Sequence, residues 1–195
     1  MLSTKLEDLP NEIITKVLSY LEIGDLFFFG HLSTRTRALS RHKILWQKLT
    51  IDNKTLATEF LKFILRNDCK FLKLTKVQIK GYLHLRKSSN LKNLSLNRCV
   101  IKNQVLEELL GSCHSLTKLT LRGMDVSNVN TKNLKKFVLQ NRKTLQTLDL
   151  KTSKTLHSES IKFIINNCKE LTVLNLQRYH NDEDVFYVQG LKIII

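Results

Sequence analysis

Leu91-Lys92-Asn93-Leu94-Ser95-Leu96-Asn97-Arg98-Cys99 reads L-x-x-L-x-L-x-x-C. The same spacing returns as Leu116, Leu119, Leu121, as Leu145, Leu148, Leu150, and as Leu171, Leu174, Leu176. Alternation over the last three positions is the period of a strand with one buried face. Upstream, Leu106, Leu109 and Leu110 precede Leu116 at the offsets by which Ile161, Ile164 and Ile165 precede Leu171. Lys135, Val138 and Leu139 hold those offsets before Leu145, with Leu134 and Phe137 beside them. Such offsets put apolar side chains on one stripe of a helix. Each unit is therefore expected to be a helix followed by a short strand. Neither face can be buried alone, so stacking of the units must supply the core.

A further unit is expected ahead of these. Leu56, Leu61, Ile64 and Leu65 make a helical stripe, and Leu74-x-x-Val77-x-Ile79 is the expected strand. Residues 80–90 carry no matching helix, which leaves the register there open. Cys113 and Cys168 each stand three residues before the first leucine of a motif, and Cys69 stands likewise before Leu72.

Residues 8–51 have another texture. Asp8 is a candidate helix cap before Pro10. Ile13, Ile14, Val17, Leu18 and Leu21 then form an apolar stripe. Asp25 and Ser33 are the next expected caps, and Trp46 falls in a last short helix with Ile44, Leu45 and Leu49. So few short helices bury little surface. Three consecutive phenylalanines, Phe27 to Phe29, cannot all face inward, so apolar surface is expected to remain for a partner.

The chain has 195 residues and a formal net charge of +15. Residues 1–50 contribute seven Lys/Arg against five Asp/Glu, and residues 51–195 contribute 25 against 12. The basic excess thus belongs to the repeats, pointing to an acidic or phosphorylated partner or to nucleic acid. No apolar stretch is long enough for a membrane span, and no signal-type segment opens the chain. Cys69, Cys99, Cys113 and Cys168 form no C-x-x-C pair, so no metal site is expected, and a reduced intracellular setting, cytoplasmic or nuclear, is. The six histidines are scattered and no Gly-rich phosphate loop occurs, so neither catalysis nor a cofactor is expected.

Two resemblances follow from these residues. The repeats resemble the cysteine-containing class of leucine-rich repeats, although only Cys99 fills the terminal cysteine position, with Met124, Ser153 and Tyr179 elsewhere. Leu9-Pro10-Asn11-Glu12-Ile13-Ile14, Leu18-Ser19-Tyr20-Leu21, Asp25-Leu26, Leu32-Ser33, Arg35, Arg37 and Leu45-Trp46 resemble the F-box motif in order. Thr36 and His42-Lys43 depart from it, where the family has an aromatic residue and an Asp-Pro step. The combination is similar to the S-phase-kinase-associated subgroup of F-box proteins.

The expected fold class is α/β: a small all-α F-box module over 1–51 (core motif 8–51), then a short right-handed leucine-rich-repeat solenoid over 52–195. About four to five repeats are expected, with an incomplete C-terminal cap. The resemblance implies a non-catalytic substrate receptor that docks on a Skp-type adaptor, and through it on a cullin–RING scaffold. By position, the adaptor-facing residues are Leu9, Pro10, Ile13, Val17, Leu18, Leu21 and Trp46; Ile14 and Leu49 are expected to pack internally.

If the motif leucines face the core, intervening strand residues face the opposite side. Those sets are Asn93, Ser95, Asn97; Lys118, Thr120, Arg122; Thr147, Asp149, Lys151; and Val173, Asn175, Gln177, with Lys76, Gln78 and Lys80 on the first strand. Lys76, Lys80, Lys118, Arg122 and Lys151 would offer a basic surface to a protein substrate, with Asp149 orienting one of the lysines. The alternatives are a basic module that binds nucleic acid or another acidic ligand, and an F-box decoy that delivers no substrate.

Overall fold

The computed structural model describes residues 8–124, 131–151, 158–176 and 192–194. Ser153, Gln177 and Tyr179, named above, lie outside the described residues. The chain divides into two compact units, Met1–Lys48 and Leu49–Ile195.

The first unit is helical: α1 (Asn11–Leu18), α2 (Ile23–Phe29), α3 (Thr34–Ser40) and a 3-10 turn, Lys43–Trp46. Both α1 and α2 pack on α3. The interior is Ile14, Leu18, Leu26, Leu39, Leu45 and Trp46. The indole N–H of Trp46 donates to the Ser40 carbonyl at 2.9 Å, which satisfies the one polar atom of that buried ring.

Two expected caps are corrected. The position before α1 is Pro10 rather than Asp8, with its fixed backbone and no side-chain hydrogen bond. Glu22 precedes α2, and Asp25 falls in its first turn, where a negative charge suits the helix dipole. Ser33 does cap α3. Its hydroxyl accepts from the Thr36 N–H at 3.1 Å, and its own N–H donates to the Thr36 hydroxyl at 2.8 Å. Thr36 therefore trades the aromatic of the family motif for a reciprocal cap.

Leu49 is not in a helix with Trp46. It lies in β1 (Lys48–Asp52), with Leu49 and Ile51 buried.

The second unit alternates strands and helices: β2 (Thr55–Ala57), α4 (Thr58–Arg66), β3 (Phe71–Thr75), β4 (Gln78–Lys80), β5 (Asn93–Asn97), α5 (Asn103–Gly111), β6 (Lys118–Arg122), α6 (Thr131–Asn141), β7 (Thr147–Leu150), α7 (Ser158–Asn167), β8 (Val173–Leu176) and β9 (Lys192–Ile194). Seven strands form one sheet in the order β1-β3-β5-β6-β7-β8-β9, and β2 and β4 form a separate pair. Every pairing from β3 to β9 is parallel. Leu72, Leu94, Leu119, Leu148 and Leu174 stand side by side, all buried, each contributing about 1.5–3 kcal/mol of hydrophobic free energy. The helices close the core with Leu61 and Ile64, Leu106 and Leu109, Phe137 and Val138, and Ile161 and Ile164.

The first repeat is one motif step off its expected register. Its sheet strand is β3, where Leu72 pairs with Leu94 and Leu74 with Leu96. Cys69 thus fills the first-leucine place itself, in line with Leu91, rather than standing three residues ahead of it. Lys76 follows the strand in a left-handed turn (φ 52°), and Gln78–Lys80 pairs with Thr55–Ala57 in the two-stranded sheet. Lys76 and Lys80 therefore do not lie on the large sheet's face. The reason is packing: Leu72 and Leu74 already occupy the two inward positions, and Val77 and Ile79 are buried beyond the turn.

Candidate partner-binding surfaces

The first unit leaves much apolar surface uncovered. Ile13 and Val17, one turn apart on α1, are about half exposed, and Leu21 is exposed beyond them. Tyr20, Phe28 and Leu32 are 80%, 70% and 73% exposed, and Phe27 and Ile44 are also open. A patch of this kind is unusual for a surface that meets only water. Pro10 is exposed and Leu9 half-buried.

Leu18 and Trp46, expected to face a partner, are each 2% exposed and belong to the interior of the helical unit in the free chain. Tyr20 and Leu32 are exposed with Phe27 and Phe28, whose exposure matches the excess of consecutive phenylalanines noted in the sequence.

Arg35 ties down the start of α1. Its Nε and Nη2 donate to Asn11 Oδ1 at 3.0 and 2.8 Å, and Nη2 also donates to the Leu9 carbonyl at 2.7 Å. An arginine fork that grips a backbone carbonyl and a side-chain oxygen fixes the Leu9-Pro10-Asn11 turn against α3.

On the large sheet, the face opposite the leucines runs in rows. Lys73, Ser95, Thr120, Asp149 and Asn175 make the middle row, in register from strand to strand. Lys73, Lys118 and Lys151 are exposed. Asp149 is 4% exposed, and its side-chain partners among the described residues are Arg122 and Asn175. Its Oδ2 accepts from Arg122 Nε at 2.9 Å, from Arg122 Nη2, and from Asn175 Nδ2 at 3.2 Å; the Lys151 backbone N–H reaches Oδ1 at 3.4 Å. The hydrogen-bonded carboxylate raises the Arg122 pKa further above its ordinary value. Arg122 remains half open to solvent, but part of its charge is already answered.

At the strand ends one backbone conformation recurs. Asn53, Lys76, Arg98 and Gly123 follow β1, β3, β5 and β6 with φ of 51°, 52°, 51° and 58°. Each donates its N–H to the next strand: to the carbonyls of Thr75 at 2.9 Å, and of Asn97, Arg122 and Lys151 at 2.8 Å. Gly123 is needed here, since a Cβ would meet Arg98 Cγ at 2.9 Å; the Arg98 stem therefore lies across the neighbouring turn.

Inside the stack, Asn141 is fully buried. Its Oδ1 accepts from the Leu116 N–H at 2.9 Å, and its Nδ2 donates to the carbonyls of Cys113 and Phe137 at 2.9 and 3.0 Å. One side chain thus links two successive units. The four thiols are buried and unbridged. Burial pushes Cys69 up to about 12 and Cys168 up to about 11, and raises Cys99 and Cys113. Thiols held in the neutral form are poor nucleophiles. Among the described residues no cluster of His, Cys, Asp or Glu is placed to hold a metal ion, and no helix is long and apolar enough to cross a membrane.

One comparison with known families bears on the helical unit. Residues 6–48 match the model of the F-box domain, over the three helices and the buried Trp46. Domains of this family bind Skp-type adaptors, and the proteins that carry them are typically non-catalytic subunits of ubiquitin ligase complexes. The chain carries an F-box domain in its first compact unit.

Proposed function

We propose that the protein is the substrate-receptor subunit of a Skp–cullin–F-box type ubiquitin ligase, in which the second unit, a short leucine-rich-repeat array, holds the protein to be modified. The observation that carries this reading is the exposed apolar surface of an F-box domain: Ile13, Val17, Leu21, Phe27, Phe28 and Leu32. Such a surface would be covered by a Skp-type adaptor, with Pro10 and the half-buried Leu9 at its edge. The adaptor would link the chain to a cullin–RING scaffold, and ubiquitin would arrive from a separate enzyme. The repeat reading is supported by parallel strands whose leucines stack in register at the recurring spacing. The resemblance to the S-phase-kinase-associated subgroup, and with it a cell-cycle substrate, belongs to the same proposal.

The test is co-expression with a Skp-type adaptor, followed by affinity capture and gel filtration. Wild type is expected to form a one-to-one complex. Ile13→Asp/Val17→Asp places two carboxylates in the covered patch and is expected to abolish capture while the free chain stays folded, since both side chains are solvent-exposed already. A wild-type chain that is folded and ignores the adaptor sinks the proposal.

A further inference from the structure

The strand-end turns pose a physical question. A left-handed backbone is comfortable for glycine and tolerable for asparagine, and disfavours other L-residues by about 1–2 kcal/mol. Asn53 and Gly123 obey that preference; Lys76 and Arg98 occupy the same place and do not. Strain retained in successive turns commonly marks a used surface. Both side chains are exposed. The same edge carries Lys151 and the half-open Arg122 at the ends of the next strands. In these two rows of strand-end and turn positions, Asp52 is the carboxylate present among the described residues.

The spacing is regular. Lys76 follows β3 and Lys151 follows β7, three strand steps apart, or about 14 Å at about 4.8 Å per step. An extended chain of about four residues covers that length. The Arg98 Cγ lies against Gly123, so the arginine stem runs beside the turn of the next strand.

We propose that the carboxyl-terminal edge of the large sheet, through Lys76, Arg98, Arg122 and Lys151, is a docking ridge for an extended, Asp/Glu-rich segment of a partner protein. This rests on the reading of the second unit as the part that holds a substrate, and it moves the contact from the middle of the sheet face to its edge. Charge complementarity selects the occupant. Arg122 and Asp149 at one end already form the kind of pair that the free cations would make with a bound segment.

The test uses the full chain and a fluorescent octapeptide with glutamate at alternate positions, followed by anisotropy. Lys76→Gly/Arg98→Gly is expected to weaken binding by tenfold or more. Because glycine relieves the turn, its Tm should equal or exceed that of wild type. Lys76→Asn/Arg98→Asn, which keeps a side chain suited to the turn, is expected to lose binding equally. Lys70→Ala/Lys92→Ala, at the other end of the strands, should change affinity less than twofold.

Equal loss in that control, or no loss in either turn variant, overturns the ridge. So does a single-stranded oligonucleotide of equal charge that displaces the peptide and loses binding in the same turn variants; the ridge would then belong to nucleic acid. Adaptor capture by each variant, measured in parallel, separates failure of the ridge from failure of the F-box reading.

Discussion

The two units of this chain treat the same kind of side chain in opposite ways. The second stacks its leucines until Leu91, Leu94, Leu96, Leu116 and Leu119 have no exposure at all. The first, with three short helices, leaves Ile13, Val17, Tyr20, Phe27, Phe28 and Leu32 in solvent. The difference follows from architecture. Stacking gives each inner strand a neighbour on both sides, so each added helix and strand supplies cover for the last. A module of about 40 residues has too few interior positions to do so. Apolar side chains in excess of those positions become surface, and a partner chain is what can cover them.

The contrast can be broken most directly by large-to-small changes in the array. Leu94→Ala should cost about 2–5 kcal/mol, measured as a fall in the urea midpoint, because the flanking Leu72 and Leu119 cannot collapse into the hole. Asn141→Ala comes next, at about 2–3 kcal/mol, since it leaves the Leu116 N–H and the Cys113 carbonyl buried without the partner the amide supplied. Either change proving neutral would mean that the units do not depend on one another as the stack requires.

The thiols sharpen the comparison through pH. All four lie in the second unit, and burial raises each above 9.0, Cys69 to about 12 and Cys168 to about 11. The neutral form is favoured by folding, so this contribution is complete below about pH 9. It is lost as pH rises towards 11 and 12, because the unfolded chain releases its thiol protons first. Unfolding midpoints should therefore fall as pH is raised from about 9 to about 11, and fall less in Cys69→Ala.

The smallest effect is expected in the first unit. Phe28→Ser should change stability by less than about 0.5 kcal/mol, since the ring meets water on most of its surface. A loss above about 1 kcal/mol would show that the ring packs on the protein, and the contrast between the units would fail there.

The sequence by itself determined the repeating strands and their inward leucines, because period-2 alternation and helical offsets are local properties of the chain. The interior role of Ile14 and the Ser33 cap were legible for the same reason, as was the excess of phenylalanine over interior positions. Register and direction were not. Leu74-x-x-Val77-x-Ile79 matches the strand spacing as well as Cys69-x-x-Leu72-x-Leu74 does, and only pairing with Leu94 and Leu96 decides between them. That decision carried Lys76 and Lys80 off the sheet face. Likewise Leu18 and Trp46 differ from Ile13 and Val17 only in which way they point, and the packing of α1 and α2 on α3 settles it. The Arg122–Asp149 pair joins residues 27 positions apart, and the recurring turn at Asn53, Lys76, Arg98 and Gly123 joins four different residue types. No local pattern encodes either one, because hydrogen bonds between strands, rather than the propensity of any residue, hold them in place.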